Sequence, residues 1–316
     1  TVRRDTSSTN AGGPILESVI VAGEKIGRTL RETPASTTYL DGEVASAPKN
    51  KTWADAIQGI PNVVADEGVL LPAVRGIDGS AGFNGGSNIA TGAQPRVNVL
   101  TDGVPSAVTL GPYDRGSVWD LESVEVAKGP QSTISGRNSL GGVIRINTKD
   151  PVNAKEFAVR GEYFNQDGTF SGAAMANVPL VEGEVAARVT VEEQSGKTFV
   201  DVRDTFYAGR EGDVEKSQFQ RVRGKVLITP KSLQNLELLL SVDQRQSKQM
   251  GTLGGVDNKS SLVSTNLSAT GSEPVENNVT TYSVRARYYA SDNVTVESNL
   301  ALSQNNLRLP GATSRS

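Results

Sequence analysis

The sequence predicts an α+β domain followed by a long run of antiparallel β-strands, and three observations carry that reading. Up to about residue 150, short β-branched runs and one capped helix are separated by turns rich in glycine and proline. After Pro151 the pattern changes to repeated alternation with a period of two, the signature of strands with one apolar and one polar face. Composition fits the second half in particular: 36% of residues are hydrophobic and 5% aromatic, with 33 glycines in 316 residues. That is poor for two ordinary soluble cores and suits strands with one face in lipid and the other in a wet lumen.

Residues 1–14 are mostly Ser, Thr, Asn and Gly and are expected to be a flexible tail, part of a segment 1–18 that leads into the first β-branched run. That run, Glu17-Ser18-Val19-Ile20-Val21-Ala22, reads as a candidate strand closed by Gly23. Residues 33–42 read as strand and turn. Thr52 caps a helix that places Trp53, Ile57 and Ile60 on one face, and Pro61 ends it. Residues 81–95 form a loop around Phe83 and Asn84; Val97–Leu100 is a strand running into a tight turn at Asp102-Gly103. A further loop, with Tyr113 and Arg115, leads to the most informative stretch, residues 120–151. There Val124 and Val126 alternate with Ser123 and Glu125 in a half-buried strand with a charged rim. Lys128-Gly129-Pro130 breaks it, and Val143, Ile144 and Ile146 begin a second strand. Gly136, Gly141 and Gly142 give the intervening loop its freedom to turn.

Beyond Pro151, alternation recurs in residues 157–164, 170–178, 185–192, 222–228, 236–242, 282–288 and 294–302, about seven strands of the length that spans an outer membrane. Short links alternate with mostly longer ones. On the polar faces Arg160, Arg188, Arg221, Arg223, Lys225, Arg285 and Arg287 accumulate without an evident carboxylate opposite each. Either they make a basic lumen that attracts anions, or they pair with acids such as Asp120, Glu122 and Glu125.

Composition also removes classes of function. Cysteine and histidine are both absent, so thiolate nucleophiles, Ser-His-Asp triads and the usual zinc and haem ligation are excluded. The net charge is −3 with no basic block, which argues against nucleic-acid binding. No run of eighteen apolar residues predicts a membrane helix. No pair of carboxylates stands out for hydrolysis, and the reading is of a non-enzyme without a cofactor.

The ordered pieces of residues 120–151, namely Glu-Ser-Val-Glu-Val, Lys-Gly-Pro, Gly-Arg-Asn, Gly-Gly-Val-Ile and Thr-Lys-Asp-Pro, resemble the end of the plug domain in TonB-dependent outer-membrane receptors. Leu100-Thr101-Asp102-Gly103-Val104-Pro105 and the Arg-Gly segment at Arg75 resemble further landmarks of that family. The resemblance implies a plug over residues 19–150 and the N-terminal part of a transmembrane β-barrel over residues 151–316. It implies that residues 17–22 are the TonB box, offered by β-augmentation to a TonB-type periplasmic energy-coupling protein; otherwise they form an edge strand of the plug. It implies ligand contact at the plug apex by Phe83, Asn84, Tyr113 and Arg115, or else plain loop packing. Arg75 and Arg137 match arginines that pair with barrel carboxylates, the alternative being exposed side chains without a fixed partner.

The implied function is energy-coupled uptake, across the outer membrane of a Gram-negative bacterium, of a scarce small molecule such as an iron-siderophore complex. Its partners would be the energy-coupling protein, outer-membrane lipid and the ligand. Such barrels close with about 22 strands, and at roughly 24 residues per strand and turn they need about 520 residues. Here 166 follow Asp150, so the chain reads as part of a longer polypeptide. The alternative is a soluble or surface-attached β-rich binding module without transport, which burial of both strand faces would favour.

Overall fold

The computed structural model describes residues 36–65, 71–79, 95–106, 117–131, 138–165, 168–197, 201–202, 216–249, 263–264, 275–291 and 294–308. It divides into two units, with the boundary between Lys149 and Asp150.

The first unit is built on β1 (Ser36–Asp41), β4 (Val97–Thr101), β5 (Val104–Pro105), β6 (Leu121–Lys128) and β7 (Gly142–Thr148). They form one sheet in the order β1-β6-β7-β4-β5, with β4 parallel to β7 and the other pairs antiparallel. β2 (Val63–Val64) and β3 (Ala73–Val74) make a separate small hairpin. Alternation puts Val124 and Val126 opposite Ile146 and Ile144, with Leu40 and Val99 on the flanking strands in the same rows. This face is the core, and each fully buried branched side chain contributes about 1.5–3 kcal/mol.

Two short helices are part of that core. In α1 (Gly42–Ala45), Asp41 caps the N-terminus by accepting from the Glu43 N–H at 2.9 Å. Gly42 packs directly on the sheet, where a Cβ would lie 1.9 Å from the Leu121 carbonyl oxygen. In α2 (Trp53–Ile57), Thr52 and Asp55 form the reciprocal capping box, with the Thr52 N–H donating to Asp55 Oδ2 at 2.8 Å. Trp53 and Ile57, four residues apart, share the buried face as the sequence predicts.

The tight turn is also where the sequence puts it. Asp102 and Gly103 have φ of 49° and 81°, the pair of positive values that a two-residue hairpin of matching twist requires. Asp102 does more than turn: its carboxylate accepts from the Thr148 N–H at 2.8 Å and from the Thr148 hydroxyl at 2.6 Å, fastening the turn to the end of β7.

The expectation of a half-buried β6 with a charged rim is corrected. Ser123 is 2% exposed and Glu125 is fully buried, so both faces of the strand are covered. Burial is tolerable because the polar face is cross-linked. Asn147 Nδ2 donates to Ser123 Oγ at 2.9 Å and to Glu125 Oε1 at 3.2 Å, and Arg145 stands directly across from Glu125.

The second unit is one antiparallel meander of seven strands among the described residues. These are β8 (Glu156–Phe164), β9 (Thr169–Val181), β10 (Val185–Lys197), β12 (Lys216–Ile228), β13 (Leu236–Gln249), β15 (Val275–Ser291) and β16 (Val294–Arg308). They run in chain order across the sheet, as predicted, but most are longer than the alternating segments suggested. β15 has 17 residues, because its backbone pairing continues past the stretch whose side chains alternate cleanly. Pro179 sits near the end of β9, opposite Ala186 and next to a register shift, where a missing donor is tolerated. Within the two long links, β11 (Asp201–Val202) and β14 (Val263–Ser264) form a short parallel pair that the sequence did not predict.

The faces of this sheet are inverted relative to a soluble protein. Phe157, Val159, Tyr163 and Leu300 are 72%, 85%, 68% and 71% exposed, whereas Arg188, Arg221 and Arg223 are each 3% exposed.

Two substitutions test the first unit, whose unfolding is followed by tryptophan emission because Trp53 and Trp119 both lie in it. Asp102→Ala removes two hydrogen bonds and places alanine at positive φ, and is expected to cost about 2–4 kcal/mol in a denaturant titration; Asp102→Asn, which tolerates the turn, costs about 1. Gly42→Ala drives a Cβ into a backbone carbonyl and is expected to cost about 3 kcal/mol. Unchanged midpoints contradict these packing assignments.

Candidate functional site

Of the side chains that the sequence singles out, residues 17–22, Phe83, Asn84, Tyr113, Arg115 and Arg137 lie outside the described residues. Arg75 is described. Arg75 and Gly76, with φ of 52° and 77°, are the two central residues of the turn between Val74 and Ile77. Val74 and Ile77 exchange backbone hydrogen bonds of 3.0 and 2.9 Å across it, and the Arg75 N–H donates to the Asn62 carbonyl at 2.8 Å. A left-handed arginine is uncommon, and here the turn over-determines it. The side chain is exposed, so the requirement for a partner that burial would impose does not arise at Arg75. Its guanidinium passes Gly129, where a Cβ would lie 3.3 Å from Nη1.

The densest constellation of charge lies on the polar face of the seven-stranded sheet. Register sets it in rows. Thr190, Arg223, Asp243 and Thr281 stand side by side on β10, β12, β13 and β15, and the next row is Arg188, Lys225, Ser241 and Ser283. Glu237, Arg287 and Glu297 form another row on β13, β15 and β16.

All seven cations that the sequence left without an evident partner have one. Arg221 is bidentate on Asp243, with Nε donating to Oδ1 at 2.9 Å. Arg223 reaches Glu192 at 3.4 Å, Arg188 reaches Glu156 at 2.9 Å, and Arg160 pairs with Glu162 on its own strand. Arg287 lies between Glu237 at 3.2 Å and Glu297 at 2.7 Å. Asp150 takes both Lys225, at 2.9 Å, and Arg285. The expectation of cations lacking matching carboxylates is therefore corrected. Asp243, Glu192, Glu237 and Glu297 sit on strands next to those of the arginines they hold, Glu156 two strands from Arg188, Glu162 on the strand of Arg160, and Asp150 just before β8.

Asp150 is the acid that sequence reasoning missed. Burial pushes its carboxyl up, but the Lys225 and Arg285 charges and their hydrogen bonds outweigh this and hold it at about 2. The residues just after it are fixed by a second side chain, Asn177, which is fully buried on β9. Asn177 Oδ1 accepts from the Val152 N–H at 3.1 Å; Nδ2 donates to the Val152 and Ala154 carbonyls at 2.8 and 2.6 Å. Asn153 accepts from the Gly183 N–H at 3.1 Å. The available signal was a lone acid next to a proline, directly before a series of arginine-bearing strands. Among the described residues no cluster of three or more Asp, Glu, His or Cys side chains is arranged to hold a metal ion, and no helix is long and apolar enough to cross a membrane, which says nothing of strands.

Comparison with known proteins agrees with this architecture. Residues 29–143 match the family model of the TonB-dependent receptor plug domain. The chain is 26% identical over 169 residues to the pesticin receptor of Yersinia enterocolitica, covering 51% of this chain and 23% of the receptor. Its fold is similar to that of the ferric yersiniabactin uptake receptor from Yersinia pestis, with a TM-score of 0.74 and 16% identity over 92% of this chain and 44% of that one. It is also similar to the ferripyoverdine receptor of the outer membrane of Pseudomonas aeruginosa, with a TM-score of 0.65 and 15% identity over 92% of this chain and 36% of that one. The chain thus spans less than half the length of these relatives. Residues 29–143 are thus matched as a TonB-dependent receptor plug domain, and a barrel-like antiparallel sheet follows them, with a fold similar to that of the solved receptors.

Proposed function

We propose that this chain is the plug and the first part of the barrel wall of an outer-membrane transporter that takes up iron chelates at the expense of energy supplied from the inner membrane. The observation that carries the reading is the inversion of the second unit. Seven antiparallel strands expose Val159, Leu300 and their neighbours and bury Arg188, Arg221, Arg223 and Lys225. Exposed apolar and buried ionic faces are unfavourable in water and appropriate where hydrocarbon bathes one face. Strands of 9 to 17 residues are long enough to span a bilayer. In this reading the wall is completed to about 22 strands by further chain. The solved structures named above are of receptors for ferric yersiniabactin and ferripyoverdine, which supports an iron chelate as the ligand class.

Within this reading the loops carrying Phe83, Asn84, Tyr113 and Arg115 meet the ligand, and Arg75 and Arg137 pair with barrel carboxylates. Binding then frees residues 17–22 to add as a strand to the energy-coupling protein. No step requires covalent chemistry, a resident cofactor or a nucleic acid.

The proposal is tested at Val19. Val19→Pro removes a backbone donor and fixes φ, so strand addition fails. In cells expressing the full-length receptor, energised accumulation of a radiolabelled ferric siderophore that supports growth is expected to fall to the background of a deletion strain. Binding of the same chelate to de-energised cells stays within about twofold of the parent, because a tail substitution leaves the ligand site intact. Accumulation at the parental rate removes residues 17–22 from the coupling role.

A further inference from the structure

The segment Asp150–Ala154 is held more firmly than a connection between two units needs to be. Asp150 joins Lys225 on β12 to Arg285 on β15, two strands that do not neighbour each other, since β13 lies between them. The β13 residue in the Lys225 row is Ser241, a small side chain that leaves room for a carboxylate over the middle strand. Two residues later the chain is at β9, where Asn177 grips Val152 through both its N–H and its carbonyl and also takes the Ala154 carbonyl. Asn153 adds the Gly183 N–H, and Glu156, the first residue of β8, is held by Arg188. The segment therefore crosses the polar face from β15 and β12 back to β9 before it enters its own strand.

We propose that Asp150–Ala154 is a fixed strap, in which Asp150 and Asn177 are positioning residues that keep the end of the plug sequence seated on the sheet while force displaces segments nearer the N-terminus. This rests on the transport reading above. Force applied at residues 17–22 travels along the chain and reaches these contacts before it reaches β8. Two features suit them to stop it. Lys225 is only 2% exposed, so a departing Asp150 would take a carboxylate away from a buried ammonium. Asn177 holds backbone rather than side chains, so its grip does not depend on the identity of Val152 or Ala154. The displaced part of the plug would then end before Asp150.

The test is mechanical and needs no ligand. The full-length receptor, reconstituted in phospholipid vesicles, is pulled from a handle at its N-terminus, and the extension is recorded against force. Residues 150–155 should release as a separate step of about 20 Å, at about 3.4 Å per residue, at a higher force than the steps before it. Asp150→Asn with Asn177→Ala is expected to at least halve the force of that step and leave the earlier steps unchanged. Asp150→Glu, which keeps the carboxylate, restores most of it. Equal release forces in the parent and the double variant overturn the proposal, as does release of residues 150–155 before the earlier segments. A variant that merely loosens the fold would lower every step together. The strap fails on this experiment alone and the transport reading on the Val19→Pro uptake assay, so the two failures are distinguishable.

Discussion

Every backbone N–H and C=O in contact with hydrocarbon must find a partner inside the protein, and for a β-structure that means each strand pairs on both sides. Side chains then have no choice but to alternate between two faces. Once one face is apolar, every charge on the strand is forced onto the other. On the transport reading proposed above, this one constraint accounts for the exposed Phe157, Val159 and Leu300 and for the buried Arg188, Arg221, Arg223 and Lys225 of the second unit. It also creates the problem that the rest of the wall solves, since cations gathered on one face repel one another unless acids are interleaved.

The interleaving follows from register. Arg287 is flanked in its own row by Glu237 and Glu297, and Arg223 stands directly opposite Asp243 while Asp243 takes Arg221 one row away. Arginine suits these places better than lysine, because its planar fork binds a carboxylate with two parallel bonds or reaches two acids at once. Breaking one member of such a set is costlier than any single pair suggests, since the remaining charges stay buried. The first unit meets the same demand with neutral groups around fewer charges: Asn147 serves both Ser123 and Glu125 on the polar face of its sheet.

What the sequence made legible was whatever depends on neighbours within a few residues. The period of two in Val185–Glu192 or Val222–Ile228, the Thr52–Asp55 capping box and the Asp102-Gly103 turn are local rules, and the structure follows each of them. Contacts between distant residues were not legible. The partners of Arg221, Arg223, Lys225 and Arg285 lie 22, 31, 75 and 135 positions away, distances at which alternation says which face a charge occupies but not which acid shares its row. Glu125 was read as part of a charged rim for the same reason: one strand's pattern cannot show that Arg145 and Asn147 stand beside it. Arg75 was read from the Arg-Gly segment it belongs to, and its positive φ at the centre of a turn, a product of the backbone bonds from Asn62 and across Val74 and Ile77, was not legible.

Asp150-Pro151 shows how much a short motif can conceal. On local rules it marks the end of β7, because proline withholds a donor and biases the residue before it toward extended backbone. The missing donor also serves the opposite end of the same step. Asp150 gives its carboxylate to Lys225 and Arg285, and Pro151, buried and without an N–H, needs no partner where a different residue would leave a donor to satisfy. The following Val152 is the first residue with both backbone groups to place, and Asn177 takes both. The two residues that stop a strand are thus also the two that let the chain lie flat against a charged wall, with one buried side chain sufficient to fix what comes next.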